Sequence, residues 1–270
     1  MACSFHGNEF RQQHPKGLGW RYKARLTTTQ IDGIGNDDQP TRNHRRRVGH
    51  PLSRAQLDQF DLYAAELRRW NERVNLTAIA DERGIVTRHF LDSLRCAQSW
   101  GDAPQRLVDI GAGAGFPGLP LKILRPELQL TLVESIAKKA AFLRHIVDTL
   151  GLTNVDIVVA RAEAAGRDPA QRERYDVAVA RAVAELRVLA EYCLPLCRIG
   201  GRFLAPKGAQ IEDELHTALP AITQLGGRLV AIEPVELPDL EPRTLVVIEK
   251  INPTPPQYPR APGVPAKRPL

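Results

Sequence analysis

The sequence predicts an α/β protein: a seven-stranded, mostly parallel sheet with an antiparallel last strand, preceded by a small helical subdomain. Three observations predict it. Short β-rich runs alternate with helical stretches from Arg106 onward, and such alternation requires a parallel sheet covered on both faces. The last two runs are joined by a Pro-bearing link too short for a crossover helix, so they form an antiparallel hairpin. Ahead of the first run, residues 51–100 carry apolar side chains at helical spacing.

In chain order, residues 1–50 lack apolar periodicity and end in Arg42-Asn43-His44-Arg45-Arg46-Arg47, which predicts a disordered basic extension. A helix follows Ser53 as N-cap, with Leu57, Phe60, Ala64, Leu67 and Asn71 in line. A second helix runs from Asp81 to about Ser99 on a stripe of Ile85, Val86, Phe90, Leu94 and Ala97. The strands are expected over Arg106–Ile110, Gln129–Glu134, Val155–Val159, Tyr175–Ala180, Gly201–Ala205, Arg228–Val235 and Arg243–Ile251, making residues 101–251 the sheet domain. Residues 252–270 form a Pro-rich basic tail, expected to be extended and without helix or strand.

Hydrophobic residues make up 43% of the 270-residue chain and charged residues 25%, values that support a sizeable core and exclude a wholly disordered protein. No apolar run approaches the roughly 18 residues that span a bilayer, and the first residues are polar and basic, so a soluble cytoplasmic protein is expected. The net charge of +6 is unevenly spread. Residues 1–50 have nine Lys/Arg against four Asp/Glu, and residues 251–270 three against none, while residues 51–250 have 25 against 27. Basic ends beside a near-neutral centre suit either contact with polyphosphate or simple solubility. The cysteines Cys3, Cys96, Cys193 and Cys197 lack metal-ligand spacing, so neither disulfide nor metal is expected; Cys193 and Cys197 are read as sharing one helix face.

The sharpest motif is Val108-Asp109-Ile110-Gly111-Ala112-Gly113-Ala114-Gly115-Phe116-Pro117-Gly118, between a strand and a helix. Glycines there let the backbone turn tightly and approach a ligand closely. Gly113, Gly115 and Gly118 also satisfy the G-x-G-x-x-G spacing of dinucleotide-binding proteins, so the turn alone leaves a nicotinamide-dependent oxidoreductase open. Asp109 favours S-adenosylmethionine, because its carboxylate can meet the ammonium group of a methionine moiety, which dinucleotides lack. Glu134, at the end of the second strand, can accept from both ribose hydroxyls with either cofactor. The third strand leads into Arg161-Ala162-Glu163, the fourth into Arg181-Ala182-Val183, and the fifth into Lys207, all at carboxyl ends where open α/β sheets bind ligands. The fourth site has neither an Asn/Asp-Pro-Pro-aromatic turn for gripping an exocyclic amine nor a nucleophilic cysteine. Lys207 is a candidate for phosphate contact. Arg88, His89 and Asp92 lie on adjacent helical turns and either face RNA or form an internal Arg88–Asp92 pair with His89 half-buried.

Over nearly all of residues 53–270 the chain resembles the bacterial ribosomal RNA guanine-N7 methyltransferase family called RsmG or GidB. The matching stretches are Trp70-Asn71 with Asn75-Leu76-Thr77, Arg88-His89 with Leu91-Asp92-Ser93, Asp109 to Gly118, Arg161-Ala162-Glu163, Arg181-Ala182, Lys207-Gly208, and the tail from Tyr258-Pro259-Arg260 through Pro265-Ala266-Lys267 to Leu270. The resemblance implies a class I S-adenosylmethionine-dependent methyltransferase (Rossmann-like) fold and action on 16S rRNA or the small subunit, in the cytoplasm, by a protein read here as a monomer. It implies cofactor contacts at Gly111, Phe116, Ala162, Glu163 and Arg181, to which the reading above adds Asp109, Gly113 and Glu134. Asn75, Arg88, His89, Lys207, Arg260 and Lys267 are the candidate RNA contacts, and no general base is expected.

Overall fold

A computed structural model of the chain describes residues 52–100, 106–237 and 241–270, so the expected N-terminal extension lies outside the described residues. Helix α1 spans Arg54–Val74, and Ser53 caps it through a full capping box: its hydroxyl accepts from the Gln56 N–H while the Gln56 side chain accepts from the Ser53 N–H. Leu57, Phe60, Ala64 and Leu67 are buried as the spacing predicts, together with Tyr63. Asn75 ends α1 in the left-handed conformation (φ 49°), one that asparagine tolerates better than most residues.

The second helical run, α2, has four consecutive segments: Glu82–Gly84 is α-helical, Ile85–Leu91 is a π-helix, Asp92–Arg95 is α-helical again, and Cys96–Gln98 is a 3₁₀ turn. The expected stripe Ile85, Val86, Phe90, Leu94 and Ala97 is buried. The π segment shifts the register, so Thr87, His89 and Leu91 are buried as well.

The sheet follows, with β1 at Arg106–Ile110, β2 at Gln129–Val133, β3 at Val155–Val158, β4 at Tyr175–Val179, β5 at Cys197–Gly208, β6 at Gly227–Val235 and β7 at Arg243–Lys250. Their order is β3-β2-β1-β4-β5-β7-β6, with β7 antiparallel to both neighbours. Intervening helices are α3 (Gly118–Leu124), α4 (Ala137–Thr149), α5 (Ala162–Arg167), α6 (Leu186–Cys193) and α7 (Glu212–Gln224). Alternate strand residues point to opposite faces. Leu107, Leu130, Leu132, Val177, Val179 and Leu204 face α1 to α4; Val108, Ile110, Ala178, Phe203 and Val246 face α5 to α7.

Three expectations are corrected. Strand β5 is longer than Gly201–Ala205, because pairing with β7 continues from Arg202 to Gly208 after the β4 ladder stops at Leu204. Cys193 and Cys197 do not share a helix: Cys193 ends α6 and Cys197 begins β5, both as buried free thiols. The last twenty residues are packed rather than extended, and contain a short helix α8, Val264–Lys267. Lys250, fully buried, donates to the Leu194 carbonyl at 2.7 Å and pairs with Glu173 at 3.1 Å, which pins the start of that tail. Among the described residues, no helix is long and apolar enough to cross a membrane.

Candidate cofactor and RNA site

The turn between β1 and α3 is shaped by glycines where side chains would not fit. Gly111 has φ 71°, and a Cβ there would lie 2.6 Å from Val183 Cγ2. Gly115 has φ 92°, and a Cβ would lie 2.3 Å from Leu119 Cδ1 and 2.7 Å from the Tyr63 hydroxyl. Two carboxylates hold the turn. Glu134, just after β2, accepts from Gly113 N–H (2.9 Å) and from Ile136 N–H (2.7 Å). Each oxygen of an ionised carboxylate has a second lone pair, so Glu134 keeps acceptor capacity beyond the turn. Asp109 is fully buried and accepts from Gly118 N–H at 2.8 Å through Oδ2. Its Oδ1 is buried without a hydrogen-bond partner. Burial pushes the Asp109 carboxyl up to about 7, against the Gly118 N–H and the Arg181 guanidinium, which favour the ionised form. A buried carboxylate oxygen with nothing to accept from is costly, and an ammonium group is its natural complement. The donor set therefore fits S-adenosylmethionine.

The helical subdomain backs this turn. Tyr63 on α1 donates its hydroxyl proton to the Ala114 carbonyl, and Gln56 donates to the Ile123 carbonyl at 2.8 Å. His89 stacks on Phe116 with centroids 4.3 Å apart and planes 12° apart. Arg181, after β4, donates to the Arg88 carbonyl (2.9 Å) and to Asp92 Oδ2 (2.8 Å), lies 3.2 Å from His89 Nδ1, and sits 5.3 Å over the Phe116 ring. Arginine can only donate, so His89 Nδ1 is the acceptor and Nε2–H donates to Thr77 Oγ1 at 2.8 Å. Burial, with the Arg181 charge adding to it, lowers the His89 pKa to about 3.

The predicted residues thus divide. Asp109, Gly111, Gly113, Phe116, Glu134 and Arg181 come together around one turn at the carboxyl edge. Ala162 and Glu163 begin α5 after β3, but the Glu163 carboxylate accepts from Gly263 N–H (2.7 Å), so its side chain is committed to the tail. The Arg88–Asp92 pair is replaced by Arg181–Asp92, and His89 is only 7% exposed, because the π turn rotates both inward. Arg88 is left exposed, as are Asn75 and Lys267. Lys207 is turned inward, donating to Ala184 O (2.9 Å) and Glu214 (2.6 Å). Arg260 is also engaged internally: the carboxylate of Glu191 is buried and takes this arginine as its counter-charge at 2.6 Å. Sequence reasoning missed Tyr63, Asp92 as the partner of Arg181, and Glu214. Only Tyr63 carried a signal, as an aromatic at helical spacing from Phe60 and Leu67.

A sheet ordered with its last strand inserted antiparallel, carrying an acidic-glycine turn after β1 and a second acid after β2, defines a class I methyltransferase fold. The same fold class is seen in the cofactor-bound Rv0187 from MTB, similar with a TM-score of 0.54 at 16% identity over 71% of this chain and 91% of that one. The profile of the GidB family, described as rRNA small subunit methyltransferase G, matches residues 56–240. Ribosomal RNA small subunit methyltransferase G of Roseiflexus castenholzii is 68% identical over 222 residues, covering 82% of this chain and 95% of that protein. The protein of the same description from Chloroflexus aggregans is 57% identical over 222 residues, covering 82% and 93%. The chain belongs to the rRNA small subunit methyltransferase G family and is an S-adenosylmethionine-dependent rRNA methyltransferase.

Proposed function

We propose that the protein, acting as a monomer in the bacterial cytoplasm, methylates N7 of one guanine in 16S rRNA or the small ribosomal subunit. What supports the N7 assignment is the match to the rRNA small subunit methyltransferase G family, and the segment after β4 agrees with it: Arg181-Ala182-Val183-Ala184 has no amine-gripping turn and no cysteine, and the histidine beside it is buried and neutral. N7 of guanine bears an in-plane lone pair and no proton, so no residue has to remove one. Bound S-adenosylmethionine supplies an electrophilic methyl carbon. The chain's work is then orientation and exclusion of water. Asp109 receives the ammonium end, Gly111 and Gly113 let the backbone come close, and Glu134 offers its remaining lone pairs to the ribose hydroxyls. Phe116, with Arg181 above it, Ala162 and the backbone of Glu163 complete the cofactor wall. Exposed Asn75, Arg88 and Lys267 meet RNA from outside this centre.

The test is the pH dependence of single-turnover methyl transfer at saturating cofactor and RNA, between about pH 6 and pH 9. The expected profile is nearly flat, and mapping of the product places the methyl group on guanine N7. A steep rise through one ionisation, abolished by one side-chain replacement, would mean that the target atom carries a proton.

A further inference from the structure

Within the link between β4 and α6, residues 180–185, the five residues 181–185 are tethered from three directions. At one end Arg181 is held by Asp92 and the Arg88 carbonyl on α2. In the middle, the side chain of Val183 leans on Gly111, filling the space a Cβ there would need. At the other end Glu214 on α7 uses a single oxygen, Oε1, to accept from both Leu186 N–H and Lys207 Nζ, while Lys207 also donates to the Ala184 carbonyl. Within this span Ala182 has φ 56°, the left-handed region that an alanine rarely enters. Such a residue persists only where its surroundings over-determine it, and a plain strand-to-helix link needs no such restraint.

We infer that Lys207 and Glu214 are positioning residues, which hold the segment 181–185 as a fixed wall for the acceptor base; Lys207 is therefore not an RNA ligand. The inference rests on the methyl-transfer reading above. Its geometry explains why the lysine is only 12% exposed although it ends a strand at the ligand-binding edge. The surface so fixed presents Ala182 and Val183 outward beside the glycine turn, an apolar face suited to a flat purine ring. Because Val183 touches Gly111, releasing the Ala184 end moves the base wall relative to the cofactor turn. A misplacement of about 1 Å costs roughly a hundredfold in rate.

The experiment compares wild type with Lys207→Met, Glu214→Gln, the double variant and Lys207→Arg. It measures the single-turnover rate, the RNA dissociation constant at several salt concentrations, and amide exchange of the peptide spanning 181–186. Lys207→Met and Glu214→Gln should lower the saturated rate about tenfold to a hundredfold and speed exchange of that peptide, leaving RNA affinity and its salt slope unchanged. The double variant should be no worse than either single one, and Lys207→Arg should recover most of the rate. Two results would overturn the inference: a salt slope about one smaller in Lys207→Met with an unchanged saturated rate, or exchange of 181–186 as slow as in wild type. The exchange measurement stands apart from activity, so wild-type protein that methylates no small-subunit rRNA would refute the functional reading alone.

Discussion

Replacing Arg260 by alanine should destabilise the fold far more than removal of a surface arginine would. Arg260 donates from Nε and Nη2 to both oxygens of Glu191 in three contacts at 2.6 to 3.1 Å, and its backbone N–H adds a fourth at 2.7 Å. Glu191 is only 1% exposed at its side chain, while that of Arg260 is 24% exposed. Alanine keeps the backbone bond and removes the charge, leaving a buried carboxylate without its cation. Removal of one partner of a buried pair costs ~3–5 kcal/mol, and the partial exposure of Arg260 places this case near ~3 kcal/mol. With a urea slope of about 3 kcal/mol/M for a chain of this size, the unfolding midpoint should fall by about 1 M with little change in slope. The Arg260→Met, Glu191→Leu double variant removes both charges and should recover most of the loss. A midpoint shift below about 0.2 M in Arg260→Ala, or a double variant as unstable as the single one, would refute the reasoning.

Asp109→Asn should raise the stability of the ligand-free protein at pH 8 while weakening S-adenosylhomocysteine binding. The folded carboxyl titrates at about 7 against a reference of 3.8, so the contribution of Asp109 to stability is fullest below about 3.8 and is lost as the pH rises through 7. About three units correspond to at most ~4 kcal/mol, and melting curves at pH 4 and pH 8 should show the gain only at the higher pH. Glu134→Ala removes the acceptor of Gly113 and Ile136 as well as the proposed ribose contacts, worth ~1.5–3 kcal/mol. Cofactor affinity should fall tenfold to a hundredfold, and an unchanged calorimetric value in a folded variant would remove Glu134 from the site.

The elements that sequence reveals here are those whose signal is periodic and local. The α1 stripe, the Ser53 N-cap and the β1 turn are each written in a short local stretch, and they stand in the structure as read. The π-helix was not legible, because Ile85–Leu91 satisfies an ordinary helical stripe and the contacts His89 makes there, with Phe116 and Thr77, lie outside the helix. The length of β5 was hidden because the expected strand stops short of Gly200 on one side and Pro206 on the other, residues that usually break strands. Gly201 packs against the Tyr175 and Asp176 carbonyls too closely for a side chain, and Pro206 lies beyond the β4 ladder, where one edge of β5 needs no donor. Two of the cationic candidates, Lys207 and Arg260, are engaged inside the protein for a shared reason. Lys207 and Arg260 each neutralise a carboxylate on another element, Glu214 and Glu191, and nothing local announces such a partner 7 or 69 residues away.

The structure also explains why the helices of residues 52–100 accompany this sheet. Three of their side chains, Tyr63, His89 and Asp92, grip the glycine turn and Arg181 directly. Their apolar stripe enters the same core as Leu119, Leu132 and Val179 under the sheet. The cofactor turn therefore has no finished underside without them: Phe116 would lose the rings of His89 and Tyr63, and Arg181 would lose its counter-charge. The ligand-free protein holds several costly features at this edge, including a buried carboxyl, a left-handed alanine and a histidine kept neutral. These features persist because packing from α1 and α2 on one side and α7 on the other leaves the chain no relaxed alternative. Helices that look like an N-terminal appendage in the sequence are, by this argument, the part of the fold that keeps the methyl-transfer site rigid before either substrate arrives.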